Sequence, residues 1–222
     1  MKKFLRNNSL SIVFVVMFLV TWLAGQTIAG LNVYNEEQRN HGEPESGLVA
    51  YLSTPHFFEA TFENWESEFL QMFLFVVLTS FLFQKGSAES KDPDQKESVD
   101  EDPEPLRGKQ NAPWPVRKGG WALKLYQYSL GLTFLVLFLL TFWFHAVSGA
   151  QEYNEDQRQH GNNESATAMQ YMTQSRFWFE SFQNWQSEFL SVGAMVVLSI
   201  YLRHKGSPES KRVAAPHCET GK

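Results

Sequence analysis

The sequence predicts an all-α integral membrane protein of four transmembrane helices, arranged as two parallel tandem helical hairpins with amphipathic outer helices. Three observations predict it. Two apolar windows are long enough to cross a bilayer, three sequence blocks recur in the same order, and lysine and arginine gather on one side of every apolar run.

Residues 10–29 and 125–147 are apolar and nearly uncharged. Each has the ~20 residues that a ~30 Å hydrocarbon core requires. The mean hydropathy of −0.30 averages these windows with very polar segments. Residues 69–83 and 189–202 are shorter apolar runs, which alone fit either a buried core helix or a span. The start Met1-Lys2-Lys3-Phe4-Leu5-Arg6, with Ala24 and Ala29 behind an apolar stretch, has the pattern of a cleavable signal. The recurrence of that element at residues 125–147 argues for a retained span instead. A net charge of −5 gives no reason to expect nucleic-acid binding, and one cysteine, Cys218, excludes both an intramolecular disulfide and a paired-cysteine zinc site.

Self-similarity organises the rest of the chain. Tyr34-Asn35-Glu36-Glu37-Gln38-Arg39-Asn40-His41-Gly42 returns as Tyr153-Asn154-Glu155-Asp156-Gln157-Arg158-Gln159-His160-Gly161. Asn64-Trp65-Glu66-Ser67-Glu68-Phe69-Leu70 returns as Asn184-Trp185-Gln186-Ser187-Glu188-Phe189-Leu190. Lys85-Gly86-Ser87-Ala88-Glu89-Ser90-Lys91 returns as Lys205-Gly206-Ser207-Pro208-Glu209-Ser210-Lys211. The expected organisation is a first two-helix repeat over residues 1–87, a linker over 88–120, a second repeat over 121–207 and a tail over 208–222. The linker is acidic and proline-rich and has few aliphatic residues, so it cannot bury enough surface to offset its ordering entropy. Linker and tail are expected to be disordered.

Orientation follows from the basic residues. Lys2, Lys3 and Arg6 precede the first span; Lys85, Lys91, Lys96, Arg107, Lys109, Arg117, Lys118 and Lys124 lie between the copies; Arg203, Lys205, Lys211 and Arg212 follow the last span. The two hairpin loops hold only Arg39, and then Arg158 and Arg176. Positive charge stays inside, so both termini and the linker are expected in the cytoplasm. Each copy crosses an even number of times, so the copies run parallel, related by an axis along the membrane normal.

Helical periodicity continues past the first span through residues 34–41, and Gly42 and Gly161 sit where a C′ glycine ends a helix. The return segment begins near Pro55. Phe57, Phe58, Phe62, Trp65 and Phe69 recur at helical spacing, as do Phe177, Trp178, Phe182, Trp185 and Phe189, while Glu59, Glu63 and Glu66 are expected to face elsewhere. The short span 69–83 covers only ~22 Å. With Lys85 anchored at the inner surface, Glu68 falls ~25 Å away along the helix, at or just inside the outer edge of the hydrocarbon, and Glu188 takes the matching place. A carboxylate there needs a partner, a route to water or a proton.

Four constellations are candidates for chemistry. Glu37 with His41, and Asp156 with His160, sit at i,i+4 on one helix face, a spacing that suits either two metal ligands per copy or a solvated pair. Glu36 with Arg39, and Glu155 with Arg158, are neighbours on the same helices. Glu68 and Glu188 suit either proton or cation binding near a central axis, or pairing with Arg39 and Arg158 to fix the loops. Trp65 and Trp185, with Asn64 and Asn184, fit an interfacial aromatic belt or a headgroup platform. The lysine-glycine-serine ends fit a snorkelling stop or a phosphate contact. Gly25 with Ala29 and Ala146 with Ala150 are small-residue pairs that allow close helix approach. His145 is a lone histidine near a span end, and Asn163-Glu164-Ser165 fits a glycosylation sequon.

The three repeated blocks resemble those of a family of uncharacterised bacterial membrane proteins, a domain of unknown function. The resemblance covers both copies and implies a location in the bacterial cytoplasmic membrane. It implies no activity, substrate or catalytic residue. The chain has no phosphate-binding loop, zinc-protease helix, dinucleotide fingerprint or nucleophile elbow, and no cofactor is identified. The leading expectation is a non-enzymatic module in the lipid bilayer that binds a protein partner, another copy of itself, a lipid or an ion at its outer polar and aromatic surface. The alternatives are a small transporter or channel using Glu68 and Glu188, and a metal-dependent enzyme using Glu37, His41, Asp156 and His160.

Overall fold

A computed structural model describes residues 2–162 and 164–221. Asn163 of the sequon lies outside the described residues. Every regular element among them is helical. The chain opens with α1 (Lys2–Asn7) and α2 (Ser9–Leu19), passes through a π-helical stretch at Val20–Gln26, and continues as α3 (Thr27–Asn40). A short α4 (Leu48–Tyr51) precedes α5 (Pro55–Leu78). The second copy repeats this plan with α8 (Ser129–Gln159), a short α9 (Ala168–Tyr171) and α10 (Ser175–Tyr201). Ahead of it lie α6 (Trp114–Lys118) and α7 (Gly120–Gln127).

Two helical runs, Ser9–Asn40 and Ser129–Gln159, are long and apolar enough to cross a membrane. In both, the apolar part is followed by a polar end, as the sequence predicts. The second run begins later than the sequence suggests: the helix is interrupted at Tyr128 and restarts at Ser129, whose hydroxyl bonds back to the Tyr126 carbonyl. The short apolar run of the first copy also ends early, with α5 stopping at Leu78. The Thr79 and Ser80 hydroxyls donate to the Phe75 and Val77 carbonyls at 2.6 Å each. Side chains of this kind compete with the backbone for its acceptors, so helix gives way to turn.

The polar ends of α3 and α8 stop in the same way. Gly42 and Gly161 both take φ of +76°. The Gly42 and Glu43 amides close onto the Arg39 and Gln38 carbonyls, and the Gly161 and Asn162 amides onto Arg158 and Gln157. This is the Schellman pattern, in which the residue at positive φ is normally glycine. The following loop is stapled by the repeated asparagine. Asn35 accepts from the Ser46 amide at 2.8 Å and donates to its carbonyl at 3.0 Å. Asn154 does the same to Ala166, at 2.6 and 3.0 Å. One amide side chain thus pairs with a backbone as a strand neighbour would. Asn154→Ala leaves both Ala166 groups unpaired, and a loss of about 1–3 kcal/mol is expected. Thermal unfolding of the detergent-solubilised protein reads it, with Asn162→Ala as a comparison outside the staple.

Contacts divide the chain into two units, Met1–Phe62 with Trp143–Phe177, and Glu63–Phe142 with Trp178–Lys222. In the first unit Tyr34, Tyr51 and Phe57 form a core joined by Trp22, Leu31 and Leu52. The second copy rebuilds it. The Tyr34–Tyr51 ring pair at 5.6 Å matches Tyr153–Tyr171 at 6.1 Å, and Tyr51–Phe57 at 5.7 Å matches Tyr171–Phe177 at 5.8 Å. Tyr51, Tyr171 and Phe177 are fully buried. Of the two small-residue pairs, Ala146 and Ala150 are buried as expected, whereas Gly25 and Ala29 are exposed. His145 is fully buried, stacked on Phe177 with ring centroids 4.7 Å apart.

The second unit carries the remaining lengths of α5, α8 and α10. Glu66, expected to face away from the packed side, is fully buried, and it accepts from the Trp185 indole at 3.0 Å. Glu63 accepts from the Asn184 and Gln183 amides. These donors let carboxylates sit where apolar groups were expected. The two Lys-Gly-Ser ends fold into the same turn: Ser90 and Ser210 accept from the Gln84 and His204 amides, and Ser87 and Ser207 from Glu89 and Glu209. Residues 88–120 carry two 3-10 turns, Ser98–Asp100 and Glu104–Leu106, as well as α6. In the tail, the Lys211 ammonium donates to the carbonyls of Gly86, Pro216, His217 and Glu219.

Candidate functional site

The first unit brings matched polar residues of the two copies together. His41 and His160 each follow the last residue of their helix, and their rings meet edge-to-face with centroids 5.1 Å apart. Each Nδ1 lies 2.9 Å from the carbonyl four residues back, on Glu37 and on Asp156. A carbonyl can only accept, so Nδ1 carries the hydrogen and Nε2 keeps its lone pair in the neutral ring. Glu37 therefore holds His41 through its backbone rather than its carboxylate. His160 Nδ1 is additionally 3.2 Å from the Asp156 carboxylate.

A cavity of about 200 Å³ opens beside this pair. Helix α3 supplies Tyr34, Glu37, Gln38 and His41 to its wall; α8 supplies Glu152, Glu155, Asp156 and Gln159; the first turn of α10 supplies Arg176. Arg176 lies 3.6 Å from Asp156. Four carboxylates thus share the cavity with one guanidinium. The first copy has His56 where the second has Arg176, and His56 instead meets the Tyr51 hydroxyl at 3.1 Å. Burial holds that imidazole toward its neutral form.

Glu152 has no counterpart either: the first copy has Val33 at the matching place. It lies beyond the apolar run that ends at residue 147. Its side chain is half-buried, and its Oε2 is sealed from solvent with no hydrogen-bond partner among the described residues. Burial, and then the charges of Glu59, Glu155 and Glu37, push its carboxyl up to about 8, against a smaller opposing pull from Arg176. At neutral pH it holds a proton. Glu59 is itself buried and accepts from the Tyr171 hydroxyl at 3.4 Å. Burial, with Glu152 and Glu37 nearby, pushes Tyr51 up to about 12.

The other sequence candidates lie elsewhere. Glu36 is exposed, and Arg39 pairs with Glu45 at 2.9 Å rather than with Glu36. Arg158 is exposed and donates to the Asn154 carbonyl. Glu155 reaches the cavity; Glu68 and Glu188 belong to the second unit. There Glu68 is exposed, Glu188 is half-buried, and the two are near enough for their charges to repel. Trp65 and Trp185 are half-buried, and the Trp185 bond to Glu66 gives it an anchor beyond an aromatic belt. Among the described residues, no three His, Cys, Asp or Glu side chains are grouped to hold a metal ion.

Of the residues singled out from the sequence, Glu37, His41, Glu155 and Asp156 line the cavity and His160 packs against His41, while Glu152 and Arg176 were not singled out. The signal was present. Both are positions where the two copies differ in charge, whereas attention to matched residues passes over them.

A family model described as a domain of unknown function, DUF6766, matches residues 1–222. No curated protein and no solved structure matches the chain.

Proposed function

The chain belongs to the DUF6766 family, and we propose that it is an integral membrane protein that binds a small organic cation in the cavity of its first unit. In this reading the chain crosses the bilayer four times. The apolar parts of the runs Ser9–Asn40 and Ser129–Gln159, which stop short of the cavity residues, supply two spans, and the apolar lengths of α5 and α10 supply the others. Both termini are cytoplasmic, and the cavity faces the opposite side. The distribution of lysine and arginine supports this orientation, as does the polar character of the helix ends that build the cavity.

The single observation that carries the reading is the cavity wall. Glu37, Glu155 and Asp156 outnumber Arg176 even with Glu152 protonated, so the cavity favours positive charge. Gln38, Gln159 and Tyr34 add neutral polar groups to the same wall. An ammonium group needs several acceptors around it, and both copies provide them. The volume, about 200 Å³, is below the ~300–1,000 Å³ of sites for drug-sized ligands, so the ligand is small. The reading is one of binding and assigns no catalytic residue.

Calorimetric titration of the full-length protein in lipid nanodiscs with putrescine tests it. Saturable binding at pH 8 is expected, at least tenfold weaker in the Glu37→Gln, Asp156→Asn double variant, while phosphate gives no heat of binding. No putrescine binding by the wild type, or equal binding by a folded double variant, would contradict it.

A further inference from the structure

Glu152 is set apart from the other carboxylates of the cavity. The fold does not demand a carboxyl at its position, because the first copy builds the same helix end with Val33. Its Oε2 is shut off from water and has no hydrogen-bond partner among the described residues, yet its side chain belongs to the cavity wall. Every element packed around it presents charge or a titratable group. Its own helix presents Glu155 and Asp156, α3 presents Tyr34, Glu37 and His41, α4 presents Tyr51, α5 presents Glu59, and α10 presents Arg176. Four carboxylates face it and one guanidinium offsets them. A carboxyl so placed keeps its proton while the cavity lacks a further cation and gives it up when one arrives.

We propose that Glu152 is a cation–proton exchange group: an ammonium ligand entering the cavity displaces the Glu152 proton, one released for each cation bound. This rests on the cation-binding reading of the same cavity. The step balances. A protonated carboxyl and an alkylammonium become a carboxylate–ammonium pair, and the proton leaves to water. No bond to carbon changes and no electron is transferred. The raised proton affinity of Glu152, about 8, agrees with the geometry. The consequence is functional: binding is tightened by alkaline pH and weakened by acid, and a proton gradient across the membrane biases occupancy.

The test uses the full-length protein in nanodiscs. Putrescine is titrated at pH 7 in three buffers of different ionisation enthalpy, and the dependence of heat on buffer counts protons. About one proton released per putrescine is expected for the wild type, and none for whatever binding remains in Glu152→Gln. Lowering the pH from 8 to 6 should weaken wild-type binding about tenfold or more. A wild-type count of zero, or the same count in the variant, would overturn the exchange. Infrared spectroscopy of the ligand-free protein separates this from the underlying reading. A protonated-carboxyl band at pH 7 that disappears in Glu152→Gln is expected, and its absence sinks the exchange whatever binds. The band present without putrescine binding at pH 8 overturns the cation reading instead.

Discussion

Gly149→Ala and Gly30→Ala are each expected to destabilise the protein by about 2–3 kcal/mol, the usual cost of forcing one extra carbon into a packed interior. The two glycines hold matching positions on α8 and α3. A Cβ at Gly149 would fall 2.5 Å from the Tyr171 ring, and one at Gly30 would fall on the Tyr51 hydroxyl. Neither tyrosine can step aside, because both are fully buried and held against other aromatic rings. Gly25→Ala is the control. Its nearest neighbour would be the Val20 carbonyl at 3.9 Å, and alanine favours helix over glycine by about 1 kcal/mol. Thermal unfolding in detergent should show the first two variants several degrees below the wild type, with Gly25→Ala unchanged or above it. Equal midpoints for all three would mean that the tyrosines are not packed against α3 and α8.

The second large effect is in pH dependence. The carboxyl of Glu152, ordinarily at 4.5, stands at about 8 in the folded chain. Between those values the folded protein holds a proton that the unfolded chain has released. Its contribution is therefore complete below about 4.5 and is lost as pH rises through 8, so stability falls across that window. Each tenfold change in proton affinity is worth about 1.4 kcal/mol. Screening by the water that reaches this half-buried side chain leaves a few kcal/mol in total. Glu152→Gln mimics the protonated form, so it should be near neutral at pH 5 and raise the unfolding midpoint at pH 8. A variant whose advantage is the same at both pH values would remove Glu152 as the source of the slope.

Much of the architecture was readable because it depends on periodicity. The long apolar runs, the polar continuation of the first helix to Asn40, the return helix from Pro55 and the glycine stops at 42 and 161 all follow from local pattern. The early end of α5 does not, since it depends on which acceptors two hydroxyls reach. Burial of Glu59 and Glu66 was missed for a related reason. A carboxylate reads as a solvent-facing residue until its donors are known, and the Trp185 indole and Tyr171 hydroxyl lie more than a hundred positions away. Gly30 and Gly149 carry no special backbone angle, so only the tyrosine packed on each reveals why it is small. The cavity was half legible. Internal matching pointed to His41 and His160, but the residues that set its charge balance, Glu152 and Arg176, are those at which the copies diverge.

Native Cys218 allows the central claim, an outward-facing cavity with both chain ends inside, to be measured directly. It is the single cysteine of the chain and it is exposed. Intact cells are treated with a membrane-impermeant maleimide, comparing the wild type with a Cys218→Ser protein carrying Glu43→Cys at the loop beyond His41. The account predicts that Glu43→Cys is labelled in intact cells and Cys218 only after the membrane is permeabilised. Labelling of Cys218 from outside, or protection of Glu43→Cys until lysis, would contradict it.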